Sequence, residues 1–468
     1  MINPPLWPPA RLSADEEADR LCASGGRQAE LGRFEKAKAD YLAAIAVAPT
    51  HFAALNDFGA LLYQHDFRTA ARTCYAEAIR HHPDNATGRI NLAGALLADG
   101  QTDEARVQYV AALSLAPDHP DALQGMANLL QDLGDSSAAE AYRRRSYAAR
   151  TIVTQPCLGA GRPCRVLRLA AAAGGNVPTR FLLDRSLFEI STLAVESGAA
   201  GGPLPPHDLV FNAVGDADLC ASALDVAEAV LGRTDAPVIN PPARVRSTGR
   251  VEIAERFADL PGVVAPRVVK ASRDGLEAEA RSFGYPLLLR SPGFHTGRNF
   301  VRVERGADLT AAASELPGDD LLLIQPLDAR DASGRSRKYR VMMIAGRLYP
   351  LHLAISDDWK VHYFTADMAE RPDHRAEEAR FLSDMAAVLG MRAVAGLNAI
   401  AGRLGLDYAG IDFGLSPTGE VLLFEANATM VVNPPDADPR WDYRRRPTEA
   451  ILDAVRTMLL ERAAAGNA

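Results

Sequence analysis

The chain has 468 residues, enough for two or three domains with sizeable cores. At 48% hydrophobic and 24% charged it has the composition of a globular protein, which excludes wholesale disorder. A formal net charge of -8 lacks the clustered Lys and Arg excess of a nucleic-acid footprint, so no nucleic-acid partner is expected. The five cysteines (Cys22, Cys74, Cys157, Cys164 and Cys220) show no C-x-x-C spacing, so inert thiols are expected rather than a zinc site or a disulfide framework. Met1 to Pro9 has no leader pattern, and the apolar runs read as too short to span a membrane. A cytoplasmic protein without membrane contact is the expectation.

Residues 1–17 read as an N-terminal extension, and a repeat follows. Gly32, Asp66, Gly100 and Gly134 stand at steps of 34, as do Ala37, Ala71, Ala105 and Ala139. Tyr41, Tyr75 and Tyr109 keep the same step, then Ala44, Ala78 and Ala112, then Pro49, Pro83 and Pro117. The period and residue types resemble the tetratricopeptide repeat, with four units over 18–153. Each unit is expected to be two helices, with small residues (Gly25, Gly59, Ala93, Ala127) where they approach and positive φ at the turn. The fourth lacks the Tyr and Pro of its columns, as a capping unit does. By repeat geometry the inner face carries Asn56, Tyr63, Gln64, Gln124, Asn128 and Gln131. Such a face docks a protein or peptide, or a second copy of the chain as a homodimer; the plainer reading is a packing scaffold.

Pro156, Gly159, Gly161 and Pro163 mark a linker over 154–163. From 164 to 240, apolar runs at Cys164–Ala171, His207–Val214 and Ala236–Asn240 read as parallel strands, with helical spacing over Ala221–Arg233. Asn176, Asn212 and Asp216 then fall at the ends of strands, where ligands of open α/β sheets bind; turn chemistry explains them equally well.

Four segments over 241–463 carry the chemistry, with a tail at 464–468. Arg250 follows Arg246 and Thr248. Arg290 ends an apolar strand, and Gly293 to Arg298 follow it. Gln325-Pro326-Leu327-Asp328 closes another strand. Asp412 is read as ending a strand, and Glu425 and Asn427 leave one face of the next, since strand side chains alternate. Hard oxygen donors suit magnesium, and a buried Glu425 needs a cation.

This pattern, with its Glu-x-Asn pair, resembles the ATP-grasp superfamily from about Arg165 to Arg462. The implied fold is multi-domain: an all-α repeat array, an α/β pre-ATP-grasp domain over 164–240 and an α+β ATP-grasp domain over 241–463. The resemblance makes Asp412, Glu425 and Asn427 the metal ligands. It puts Gln325 and Leu327 at the adenine and Asp328 at the ribose. Arg250 and Arg290 stand where the family has phosphate-binding lysines, and arginine is not a simple replacement for lysine. His295 and Arg298 lie in the loop over the phosphates, as phosphate contacts or as solvated residues. Arg340 matches the arginine that stabilises transferred charge. Lys360, His362 and Tyr363 fall in the cavity-facing region. Arg444-Arg445-Arg446 would bind an anionic substrate or be a solvated run.

The implied activity is an ATP- and Mg2+-dependent carboxylate–amine ligase acting through an acyl phosphate. Its substrates would be a small carboxylic acid and an amine or peptide. The rival reading is a nucleotide-binding adaptor without turnover.

Overall fold

A computed structural model describes residues 12–133, 135–149, 152–172, 174–196, 201–293, 299–331, 333–361, 366–436 and 438–466. The chain divides into two compact units, Met1–Arg150 and Thr151–Ala468.

The first unit is built of α1 (Ala14–Glu30), α2 (Phe34–Val47), α3 (Phe52–Gln64), α4 (Arg68–His81), α5 (Ala86–Ala98), α6 (Thr102–Leu115), α7 (Pro120–Asp132) and α8 (Ser136–Ala149). Ser13 and Glu16 close a capping box at the start of α1. The periodic alanines Ala37, Ala71 and Ala105 are buried where helices cross, as are Ala44, Ala78 and Ala112 and the rings of Tyr41, Tyr75 and Tyr109. A Cβ at Gly59 would stand 2.7 Å from the Tyr75 ring, so that crossing has no room for a side chain. Gly32 and Gly100 have φ of 69° and 77°, and Asp66 adopts the same region at 64°. Arg68 bonds the Asp66 carboxylate at 2.7 Å beside that turn. Gly134 lies outside the described residues. Pro49, Pro83 and Pro117 stand just past the ends of α2, α4 and α6.

The second unit opens with β1 (Val153–Gln155), β2 (Cys164–Ala170), β3 (Phe188–Ala194), β4 (Leu209–Asn212), α9 (Ala221–Leu231) and β5 (Val238–Ile239). The sheet order is β1-β3-β2-β4-β5, parallel except for β1. Two of these strands escaped the sequence reading. β1 overlaps the expected linker at 154–163; it is a short exposed edge, with no apolar run to announce it. β3 interrupts its apolar residues with Glu189, Ser191 and Thr192.

Then follow α10 (Pro242–Arg246), α11 (Arg250–Phe257), β6 (Val263–Val264), β7 (Val268–Ser272), α12 (Leu276–Phe283), β8 (Leu287–Arg290), β9 (Phe300–Val303), α13 (Leu309–Ser314) and β10 (Asp320–Ile324). Strands β7-β10-β8-β9 form an antiparallel sheet with its own small core around Leu287, Leu289, Leu321 and Leu323. Next come β11 (Ser336–Ile344), β12 (Arg347–Ser356), α14 (Pro372–Ser383), α15 (Met385–Leu404), β13 (Tyr408–Leu415), β14 (Val421–Asn427) and α16 (Arg445–Gly466). The third sheet runs β12-β11-β13-β14-β6, antiparallel apart from the β14–β6 pair. Its core merges with that of the first sheet.

One expectation is corrected by α15. By length and composition alone it is apolar enough to cross a membrane. Its apolar side is occupied within the fold: Leu389, Ala393, Leu397, Ile400 and Leu404 are buried in the large core, and Gly390 breaks its regularity.

Candidate functional site

The third sheet positions a row of ionisable side chains. In register across it stand His352 on β12, Arg340 on β11, Asp412 on β13 and Glu425 on β14. A bulge follows this row in two of the pairings, after Arg340 and after Asp412. Bulges re-aim side chains and gather beside active sites. Asp412 therefore lies inside a strand, not at the end expected of it.

The row is tightly paired. Arg340 grips Asp412 with a fork, Nε to Oδ1 at 2.5 Å and Nη2 to Oδ2 at 2.8 Å, and Lys338 Nζ reaches Oδ2 at 2.6 Å. Burial alone would raise the Asp412 pKa, but Arg340 and Lys338 hold it well below the usual carboxylate range. Burial works to lower the Arg340 pKa, and the charge of Asp412 more than offsets it. His352 is driven well below its ordinary value by burial and by the charge of Arg340, so it is neutral near pH 7.

Beside the row lies a cavity of about 610 Å³, counting space open to solvent. Its lining includes the apolar Ile253, Val268, Ile324 and Leu423 and the polar Asp216, Asp218, Arg250, Glu425 and Asn427. Arg250, at the first position of α11, donates from Nη2 to Glu425 Oε1 at 2.8 Å. Its backbone N–H donates to Asp218 at 3.3 Å. Arg290 ends β8 with only 7% exposure, its guanidinium 5.2 Å from the Phe300 ring centroid. Burial, and then the charge of Arg250, push the Arg290 pKa down to about 10, while Glu425 and Asp218 pull the other way. Four cations (Arg250, Arg290, Lys338, Arg340) and four carboxylates (Asp216, Asp218, Asp412, Glu425) thus share one region of the second unit.

The structure brings Arg250, Arg290, Arg340, Asp412, Glu425 and Asn427 together. Gln325, Leu327 and Asp328 follow β10 but do not line the cavity. The Gln325 side-chain oxygen accepts the Arg267 N–H at 3.0 Å, and Asp328 is exposed and paired with Arg330 at 2.7 Å. The ribose role given to Asp328 therefore meets a carboxylate already committed to its neighbour. His295, Arg298, His362 and Tyr363 lie outside the described residues. Lys360 donates to the Phe300 carbonyl at 3.2 Å. Of the arginine run, Arg444 is not a solvated residue: its side chain is 13% exposed and sits 3.6 Å from the buried Glu378. Arg445 pairs on the surface with Asp442.

Asp218 and Lys338 were missed as site residues. Lys338 was legible, because it stands two positions before Arg340 on the same strand face. Asp218 was not, because it follows β4 in a loop whose direction only the fold sets. Burial raises its pKa against the pull of Arg250. Asn176 and Asn212 serve their own loops: Asn176 bonds both backbone groups of Ala171, and Asn212 donates to the Asn240 carbonyl.

The donor set of Asp412, Glu425 and Asn427 has the hard-oxygen chemistry of a magnesium site. As placed, its oxygens are engaged. Both Asp412 oxygens meet cations, Glu425 Oε1 accepts from Arg250 and from Asn427, and Asn427 Oδ1 accepts twice from Thr429. The argument that a buried Glu425 needs a cation is thus met by Arg250, and these residues do not fit a resident metal ion.

On the first unit, Asn56 is buried rather than presented. Asn91 Nδ2 donates to its Oδ1 at 2.8 Å, and Asn56 Nδ2 donates to Asp57 at 3.1 Å. Gln124 donates to Asn128 at 3.0 Å, and Tyr63 and Gln64 are exposed. The Gln131 side chain lies outside the described set.

Two family models described as tetratricopeptide repeat match the chain, over residues 28–51 and 96–142. The protein thus carries tetratricopeptide repeats between about residues 28 and 142, followed by a mixed α/β region. No curated protein matches the chain. Among solved structures, MamA from Desulfovibrio magneticus RS-1 is 20% identical, covering 28% of this chain and 73% of that one, with a TM-score of 0.26. Pseudomonas aeruginosa pilF is 21% identical, covering 29% and 62%, with a TM-score of 0.27. The first repeat domain of Spaghetti, bound to an HSP90 peptide, is 17% identical, covering 25% and 94%, with a TM-score of 0.25.

Proposed function

We propose that the second unit is a carboxylate–amine ligase of the ATP-grasp type, taking ATP as its magnesium complex. The repeats would recruit the peptide, protein or partner subunit it serves, in the cytoplasm. The observation that carries this reading is that Arg250 lines a cavity, with Arg290 near enough to feel its charge, beside the Arg340–Asp412 pair. The buried Arg290 and the part-buried Arg250 suit a polyphosphate, and the apolar part of the lining suits a base.

In this reading a carboxylate oxygen of the acid attacks the γ-phosphorus, and the bond to the β-phosphate oxygen breaks, leaving ADP and an acyl phosphate. The amine then attacks the acyl carbon, phosphate leaves, and the amine proton passes to a base. Arg250 and Arg290 position the phosphates, and Arg340 meets the charge that develops during transfer.

A second reading, a nucleotide-binding adaptor without turnover, is favoured by the engaged oxygens of Asp412 and Asn427. One experiment separates the two. ADP and phosphate release is measured with MgATP against a panel of amino acids, peptides and small acids, beside the Arg290→Gln variant. The ligase predicts acid-dependent release that falls by about 100-fold or more in the variant, the scale of losing a group that organises phosphoryl transfer. Nucleotide binding with no acid-dependent release, also with captured repeat-binding peptides, selects the adaptor.

A further inference from the structure

We propose that the repeats hold a cation subsite at Asp57 on α3, whose occupant is an extended peptide presenting a Lys or Arg side chain. This rests on the docking role proposed for the repeats and is independent of the ligase chemistry.

The geometry begins with a relay of amides. Asn91 on α5 donates to Asn56 on α3, and Asn56 donates to the Asp57 carboxylate. Both donations run toward Asp57, so the chain of dipoles ends in an acceptor. Asp57 is half-buried near Cys22, Tyr41 and Tyr75, all of which feel its charge. Among the described residues no Lys or Arg pairs with it; His51, which weakly stabilises it, is already paired with Asp19 at 3.2 Å. Burial accordingly raises the Asp57 pKa. A half-buried carboxylate without a cation is costly to the folded chain, and a ligand ammonium or guanidinium removes that cost.

The surroundings favour a positive guest. Neither α3 nor α7 contains a Lys or Arg. The one arginine of α5, Arg89, is bonded to the Pro83 carbonyl and to Gln108 of α6. On α1, Arg20 is paired with Glu17 and Arg27 is exposed, while Lys36, Lys38, Arg68 and Arg72 fall on the second helices. An acidic peptide tail would therefore meet repulsion at Asp57 with no clamp to hold it.

The test uses the full chain and three fluorescein-labelled heptapeptides of Ser and Asn, carrying two lysines, two glutamates or no charge, read by anisotropy. The lysine peptide is expected to bind about tenfold tighter than the neutral one, the scale of one charge-assisted hydrogen bond. Asp57→Asn keeps the acceptor for Asn56 and is expected to reduce that preference to about twofold or less. Raising the salt on the unaltered protein should erode the preference as well, a readout that needs no variant. Equal binding of the three peptides, tighter binding of the glutamate peptide, or a lysine preference that survives both Asp57→Asn and salt overturns the proposal. If no peptide binds, the docking role falls with it, while the ligase reading stands.

Discussion

Asp412 is fully buried between Arg340 and Lys338, so the cost of removing one cation is the cost of leaving a charge where water cannot solvate it. Arg340→Met should destabilise the second unit by about 3 kcal/mol, the lower end for a broken buried pair because Lys338 remains. Urea unfolding monitors this. The pH dependence follows from the sign of the shift. A carboxyl held below its unfolded pKa adds stability above that value and loses it as pH falls through the folded one. In the variant burial lifts the folded pKa, so the gap to the unaltered protein should be widest near neutrality and shrink in acid. Asp57 runs the other way. Its folded pKa is raised, so the folded state binds the proton more tightly and stability falls as pH rises through that value. Asp57→Asn should therefore raise Tm at pH 7, with the gain fading toward pH 4. At this scale the sequence was informative about identity and silent about partners. It named Arg250, Arg290, Arg340, Asp412 and Glu425, but not that arginines would fill the place assigned to a metal.

Elements obeyed their patterns where one face is buried. The 34-residue columns of the repeats were legible because every helix crossing makes the same demand. Gly59→Ala puts a methyl 2.7 Å from the Tyr75 ring, and overpacking of that kind should cost about 1–3 kcal/mol, read as a lower Tm of the helical signal. Gly94→Ala is the matched control: a Cβ there would meet the Tyr109 hydroxyl at 3.7 Å, an ordinary contact, so little change is expected. The edge strands were illegible for the complementary reason. β1 is exposed throughout and β6 has two residues, so neither carries a periodicity that local sequence could announce. The bulges after Arg340 and Asp412 were equally hidden, since a bulge is a property of two strands together.

At the scale of the molecule the two units hold their structure differently. The repeats bury small residues between successive helices, and each helix pair leans on its neighbours in sequence. The second unit draws its largest core from strands and helices far apart in the chain, with Phe211, Leu397, Tyr408 and Val455 in one cluster. Native-state hydrogen exchange should therefore find the slowest amides in β11, β13 and β14, and faster exchange in α1 and the other repeat helices. Uniform protection across both units would count against this division. What the sequence determined by itself was local or periodic: the repeat array, the strands written as unbroken apolar runs and the residue types of the ionisable row. What only the tertiary structure decided was the company each charge keeps. Arg250 and Glu425 are 175 positions apart, and Arg340 and Asp412 are 72 apart. Coulomb attraction acts through space, so which carboxylate meets which cation was settled by strand register for Arg340 and Asp412, by the placement of α11 for Arg250 and Glu425, and not by spacing along the chain.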